Sequence, residues 1–195
     1  MILPIVAYGA KVLKMKAQEV VLDDPELPGF IENLWETMYA ASGVGLAAPQ
    51  VGRSLRLFII DASPFADDEN LGPEEQKLLK SFKKVFINPE IESETGDLWG
   101  FNEGCLSIPN IREDVDRKDT ITLSYTDEKK RPQKETYTGL AARVIQHEFD
   151  HINGVLFTDR LSSLKKRLLK GKLTQIARGK VDADYVMRFP NDLRL

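Results

Sequence analysis

Between Phe30 and Ala41 the apolar residues Ile31, Leu34, Trp35 and Met38 recur at helical spacing, which predicts an amphipathic helix. It runs into Ser42-Gly43-Val44-Gly45, where glycines permit backbone angles that other residues resist. Leu55 to Ile60 and Val85 to Asn88 read as strands. The polar, acidic stretch from Ser63 to Lys80 between them reads as a solvated surface excursion, with one short helix after Pro73. From Thr120 to Thr126, Ile121, Leu123 and Tyr125 alternate with polar residues, the mark of a half-buried strand. Asp127 to Lys130 is a turn, and Gln133 to Tyr137 returns as the hairpin partner. A helix from about Gly139 to Ile152 follows, with Thr138 as its N-cap and Gly154 as its C′ residue. A second helix is expected over about Asp159 to Lys170. The predicted fold class is α+β, with short, mostly antiparallel strands packed around the Gly139–Ile152 helix.

Composition narrows the setting. A chain of 195 residues suits one domain, expected to be a single catalytic unit over 1–195 with a C-terminal helix and basic tail from about 159. Its net charge of -3 gives no global attraction to nucleic acid or membrane. One cysteine cannot form an internal disulfide, which favours a reducing compartment. The apolar run at the N-terminus is too short for a signal peptide, and no stretch approaches the ~20 apolar residues of a membrane span. The expected location is cytoplasmic, with neither membrane nor DNA as a partner.

The chemistry concentrates on the predicted central helix. Both histidines of the chain, His147 and His151, lie there four residues apart, so they project from one face, ~6 Å apart along the axis, and can grip one cation. Leu140 and Val144 continue the same stripe, Glu148 sits at its edge, and Ile145, Phe149 and Ile152 point elsewhere, into a core. Two histidines leave a metal under-coordinated. One peptidase class that uses this helix requires a third histidine where this chain has Phe157. Another uses a downstream carboxylate, but no acid appears between Asp159 and Asp182. Cys105 is the one soft donor available, and a Cys-His-His set leaves an open position for water, as catalytic sites require.

The segment from Gly43 to Gln50 is dense in small residues. It follows a helix rather than a strand and lacks Gly-x-Gly-x-x-Gly and Gly-Lys-Ser/Thr, so it is no nucleotide loop. Pro49 biases Ala48 toward an extended conformation, which holds Gln50 in a defined direction.

Three motifs therefore stand in order: Gly43-Val44-Gly45-Leu46-Ala47-Ala48-Pro49-Gln50, Glu103-Gly104-Cys105-Leu106-Ser107 and Gln146-His147-Glu148-Phe149-Asp150-His151. Together they resemble the peptide deformylase family, which removes the formyl group from the N-terminal formyl-methionine of new bacterial polypeptides. The resemblance implies that Cys105, His147 and His151 are the metal ligands, with one divalent ion per chain. Ferrous iron is the expected metal, and zinc, nickel or cobalt is able to occupy the site. It implies that Glu148 moves the proton from water to the departing amine, and that the Gln50 amide and the Leu106 N–H stabilise the oxyanion. The backbone at Gly45 would bond an extended formyl-methionyl nascent peptide. Val44, Phe101, Leu140 and Val144 would form the methionine pocket. Asp150 and Glu103 are the expected supports of the ligating histidines, with Arg112 or Arg117 paired to such a carboxylate.

From Lys165 to Lys180 the chain holds seven basic residues and no acidic one, a local reversal of its charge. This segment is a candidate for phosphate contacts with ribosomal RNA. Two other readings compete with the deformylase. One is a zincin-type peptidase, weakened by Phe157. The other is a non-catalytic metal or redox module on the ribosome with Cys105 as a sensor, which would have no use for Glu148.

Overall fold

The computed structural model describes residues 1–190. Strand β1 (Ile5–Val6) is followed by helix α1 (Leu27–Ala40), then strands β2 (Gly45–Ala47) and β3 (Leu57–Asp61). Helix α2 (Pro73–Lys80) leads into β4 (Lys83–Cys105), β5 (Ile108–Thr126) and β6 (Pro132–Thr138). Helices α3 (Gly139–Ile152) and α4 (Ser163–Ala177) and strand β7 (Met187–Arg188) complete the order. Strands β2-β3-β4-β5-β6 form one antiparallel sheet in that order, and β1 pairs with β7 in parallel. The α+β class and the predominance of antiparallel pairing are as expected.

Two strands are not short. β4 spans 23 residues and β5 spans 19, and they form one long hairpin. Their continuity is hidden in the sequence by irregularities in the pairing between Ile87 and Glu90, Ile91 and Ser93, and Thr95 and Leu98. Pro89, which cannot donate to a ladder, sits at the first of these. Each extra residue flips the alternation of side chains, so the period-2 signal resets along the strand.

Helix boundaries moved for local reasons. α1 starts at Leu27 because Pro28 fits the first turn, where a missing N–H costs nothing. Asp159 does not open a helix. It lies in a short 3-10 turn over Phe157–Arg160, where its carboxylate accepts from the Leu156 N–H at 2.7 Å. α4 starts at Ser163, capped by the Ser162 hydroxyl, which accepts from the Lys165 N–H.

Helix α3 packs its Ala141, Ala142, Ile145 and Ile152 against Phe58, Ile60, Phe86, Ile121 and Leu123 of the sheet in one buried cluster. Burying each large apolar side chain there contributes about 1.5–3 kcal/mol. Phe149 is only half-buried at the edge of that cluster. The helix ends as expected: Gly154 has φ of +72°, its N–H bonds His151 O, and the Val155 N–H bonds Asp150 O, closing a Schellman motif. It does not begin as expected, because Thr138 makes no side-chain cap. The Leu140 N–H is satisfied instead by Glu75 Oε1 at 2.8 Å, from α2. The acidic excursion is thus a buttress of the central helix and not only a solvated loop. Among the described residues no helix is long and apolar enough to cross a membrane.

Candidate metal centre

β4 ends at Cys105, and the chain turns through Leu106 and Ser107 into β5, so that Cys105 pairs with Ile108. This turn faces α3. Cys105 Sγ lies 3.3 Å from His151 Nε2, and one donor atom from each of Cys105, His147 and His151 lies within 4.8 Å of the others. His147 Nδ1 is 2.9 Å from Glu103 Oε2. A carboxylate only accepts, so Nδ1 carries the proton and Nε2 is left to ligate. On the protein's own charges, burial disfavours a protonated His147, but its bonds to Cys105 and Glu103 outweigh burial and hold the pKa at about 10. Burial and the neighbouring His147 push His151 well below its ordinary value. His151 Nδ1 and Glu148 Oε2 have no partner among the described residues. A sulfur and two imidazole nitrogens converging on one point fit a divalent cation.

Glu103 is 4% exposed and serves more than one partner. Arg117 grips it with a two-bond fork at 2.7 and 2.9 Å, and Arg143 Nη1 reaches it at 3.0 Å. Burial alone would raise its carboxyl; the Arg117 fork and His147 overcome that and hold it far below the usual carboxylate range. Of the expected supports, Glu103 and Arg117 occupy their places. Asp150 touches neither histidine; it joins Arg117 at 2.7 Å and Arg160 at 2.6 Å. Arg112 pairs with no such carboxylate, because its guanidinium bonds the side chain and carbonyl of Asn102. Arg143 was not anticipated. An arginine in the apolar run Leu140-Ala141-Ala142-Arg143-Val144 was the available signal.

The glycine loop closes the opposite side. Among the described residues β2 is the edge of the sheet, paired only with β3. Gly45 presses against Glu148 so closely that an added Cβ would lie 2.8 Å from the carboxyl carbon. Burial pushes Glu148 up to about 7, although His147 opposes the rise. Gln50, 1% exposed, accepts from the Ala47 N–H at 2.8 Å through Oε1. Its Nε2 is thereby turned toward the centre, 3.6 Å from Cys105 Sγ.

A cavity of about 640 Å³ opens over these groups. Val44, Gly45, Gln50, Phe101, Cys105, Leu106, Val144, His147 and Glu148 all line it. His151 lies behind them, 1% exposed. Leu140 does not line it; one turn before Val144, the helix stripe is covered by the core. Phe65 replaces it, reaching in from the excursion with its ring edge-on to Phe101. The C-terminal residues Asp182 to Tyr185 also form part of the wall, with no signal in the sequence motifs.

The family model for polypeptide deformylase matches residues 2–167. The chain belongs to that family. It is 61% identical over 191 residues to the peptide deformylase of Christiangramia forsetii, covering 98% of this chain and 97% of the relative. It is 45% identical over 192 residues to that of Salinibacter ruber, again covering 98% and 97%. A crystal structure of a peptide deformylase from Legionella pneumophila superimposes with a TM-score of 0.77 at 38% identity, covering 92% of this chain and 98% of that one. A Synechococcus elongatus peptide deformylase in complex with actinonin gives 0.72 at 41%, covering 96% and 90%. The chain is therefore a metal-dependent hydrolase that removes the N-terminal formyl group from nascent polypeptides. The peptidase and redox-module readings fall with this assignment.

Proposed function

We propose that Cys105, His147 and His151 hold one ferrous ion, and that Glu148, Gln50 and Leu106 carry out deformylation around it, within one catalytic domain over 1–195. The observation that carries this reading is the convergence of the three donor atoms within 4.8 Å beneath a cavity that Glu148 faces. When bound, a divalent cation at this set acidifies water and polarises a formyl oxygen. Glu148, raised to about 7 by burial, accepts the proton of the attacking water and returns it to the departing amine. Gln50 Nε2 and the Leu106 N–H donate to the oxyanion as it develops, and losing one such donor typically costs about 3–4 kcal/mol. The peptide adds as a further strand along the free edge of β2 at Gly45. Its methionine side chain enters the apolar wall of Val44, Phe65, Phe101 and Val144.

Affinity alone ranks zinc above ferrous iron, so metal supply decides the occupant, and a thiolate beside iron makes the enzyme oxygen-sensitive. Anaerobic purification with metal analysis and a formate-release assay on formyl-Met-Ala-Ser tests the reading. Cys105→Ser should lose the metal, whereas Glu148→Gln should retain it and lose at least about 100-fold in kcat. Metal retained in Cys105→Ser, or near-normal turnover in Glu148→Gln, overturns it.

The enzyme works in the cytoplasm, on chains emerging from the ribosome. α4 supplies the docking charge. Lys165 is paired with Glu113, so the charges proposed to meet RNA are Lys166, Arg167 and Lys170. Reversing these three should abolish ribosome pelleting at low salt; unchanged pelleting removes the docking idea.

A further inference from the structure

The family match ends at residue 167, yet the wall of the cavity is completed beyond it. After α4, Gly179 turns the chain back with φ of +73°. Asn110 Nδ2 then donates to Asp182 O at 2.8 Å. Farther on, the Ile5 N–H donates to Val186 O and the Ala7 N–H to Arg188 O, both at 2.9 Å, fastening β7 to β1. Between these two anchors, the Tyr185 hydroxyl donates to Leu106 O at 2.7 Å.

That bond falls on the turn between β4 and β5. The same turn is held at the next carbonyl, where the Tyr8 N–H donates to Ser107 O at 2.8 Å. The Leu106 side chain is fixed from another side, since a Cβ on Gly43 would lie 2.8 Å from Leu106 Cδ1. Cys105 is tied to the ladder through Ile108. The orientation of the Leu106 carbonyl itself is set by Tyr185. The ring is half-buried among apolar neighbours, and burial raises the phenol's pKa, so the hydroxyl remains a donor.

We propose that Tyr185 is a positioning residue for deformylation, its hydroxyl holding the Leu106–Ser107 peptide and thereby, across the Leu106 Cα, keeping the preceding peptide turned so that the Leu106 N–H stays aimed at the developing oxyanion. The inference rests on the proposed role of Leu106. It makes the C-terminal strap part of the catalytic machinery: it acts on the barrier through the turn and leaves the donor set intact.

The test uses the metal-loaded full-length enzyme carrying Tyr185→Phe, which keeps the ring and removes only the hydroxyl. The expected result is a fall in kcat of about tenfold, smaller than the loss of a whole oxyanion donor because the N–H is tilted and not deleted. KM should stay within about twofold, with metal content and thermal midpoint unchanged. Normal kcat overturns the proposal, as does a proportional rise in KM. A lowered midpoint with full activity per folded molecule means that the residue only packs, and also overturns it. Tyr185→Leu, lacking both ring and hydroxyl, should reproduce the fall in kcat; full turnover in its folded fraction would likewise refute it. Cys105→Ser and Glu148→Gln run in parallel separate the two failures. If they lose metal and turnover as stated while Tyr185→Phe is normal, the site reading stands and only this inference fails.

Discussion

Gly45→Ala offers a test of the catalytic geometry that leaves every donor atom in place. Gly45 has no positive φ, so alanine is acceptable to the backbone. The added methyl would stand 2.8 Å from Glu148 Cδ and 2.9 Å from Cγ, whereas ordinary contact begins at 3.4 Å. Gly45 is fixed in register opposite Ile60, and Glu148 projects from a helix packed on the same sheet. The softer partner is the carboxylate, which must retreat by about 0.6 Å at its carbon and further at its nearer oxygen. A misplacement of about 1 Å costs on the order of 100-fold. A fall in kcat of about 10- to 100-fold is therefore expected, equivalent to about 1.4–2.7 kcal/mol of barrier. The three atoms nearest this methyl all belong to Glu148, so metal content should equal that of the wild type. The assay is formate release at saturating substrate, normalised to bound metal. Turnover within about threefold of wild type, at full metal occupancy, would refute the argument that Gly45 sets the position of Glu148.

Three further outcomes follow from the same geometry. Glu103→Ala should weaken metal binding by about 10- to 100-fold, measured by competition with a chelator, because His147 loses its orienting acceptor. It should also destabilise the fold by about 3–5 kcal/mol in urea melts, because Arg143 is left buried without its carboxylate and Arg117 keeps only Asp150. Glu75→Ala should cost about 0.5–2 kcal/mol of stability, since it removes the acceptor that caps the first turn of α3. In the chelator-treated protein, Glu148 binds its proton more tightly folded (about 7) than unfolded (4.5), so wild-type stability should fall as pH rises through that window. Glu148→Gln lacks this dependence, and its advantage over wild type should grow from nothing below about pH 4.5 to at most about 3 kcal/mol above pH 7. Parallel melting curves at all pH values would contradict the raised pKa.

The parts of this molecule legible in its sequence are those whose signal is local. Helix α3 carried its period, its metal donors and its terminal glycine within a few residues, and the alternation in β5 announced the hairpin with β6. The β4–β5 hairpin was under-read because bulges and Pro89 interrupt its alternation. The middle of β4, from Glu92 to Leu98, is solvent-exposed at every residue, so no apolar side marks it as a strand. The residues missed at the site act across long sequence separations and carry no motif. Phe65 comes from a polar excursion, Arg143 hides in an apolar helix, and Tyr185 lies 79 residues from the carbonyl it holds. Leu140 was over-read for the opposite reason. A shared stripe says which side of a helix a residue occupies, but not where along the axis the core ends and the cavity begins.

The buried charges explain how a sulfur from a sheet and two nitrogens from a helix come to share one point. On stability alone, a buried ion cluster is a poor choice, since apolar replacements of the same volume are often neutral or better. Here the cluster links two elements at two places. Glu103 on β4 bonds His147, and Asp150, one turn further along α3, is held by Arg117 from β5. Arg117 also grips Glu103, so a single guanidinium ties hairpin and helix together at both points. His147 and Asp150 are three residues apart and share a face of α3, so neither rotation nor sliding of the helix can keep both contacts. Two residues beyond Glu103, Cys105 lies 3.3 Å from His151 in the arrangement where both contacts are made. The ion pairs thus specify one register between sheet and helix, and that register is the one in which the donor set closes.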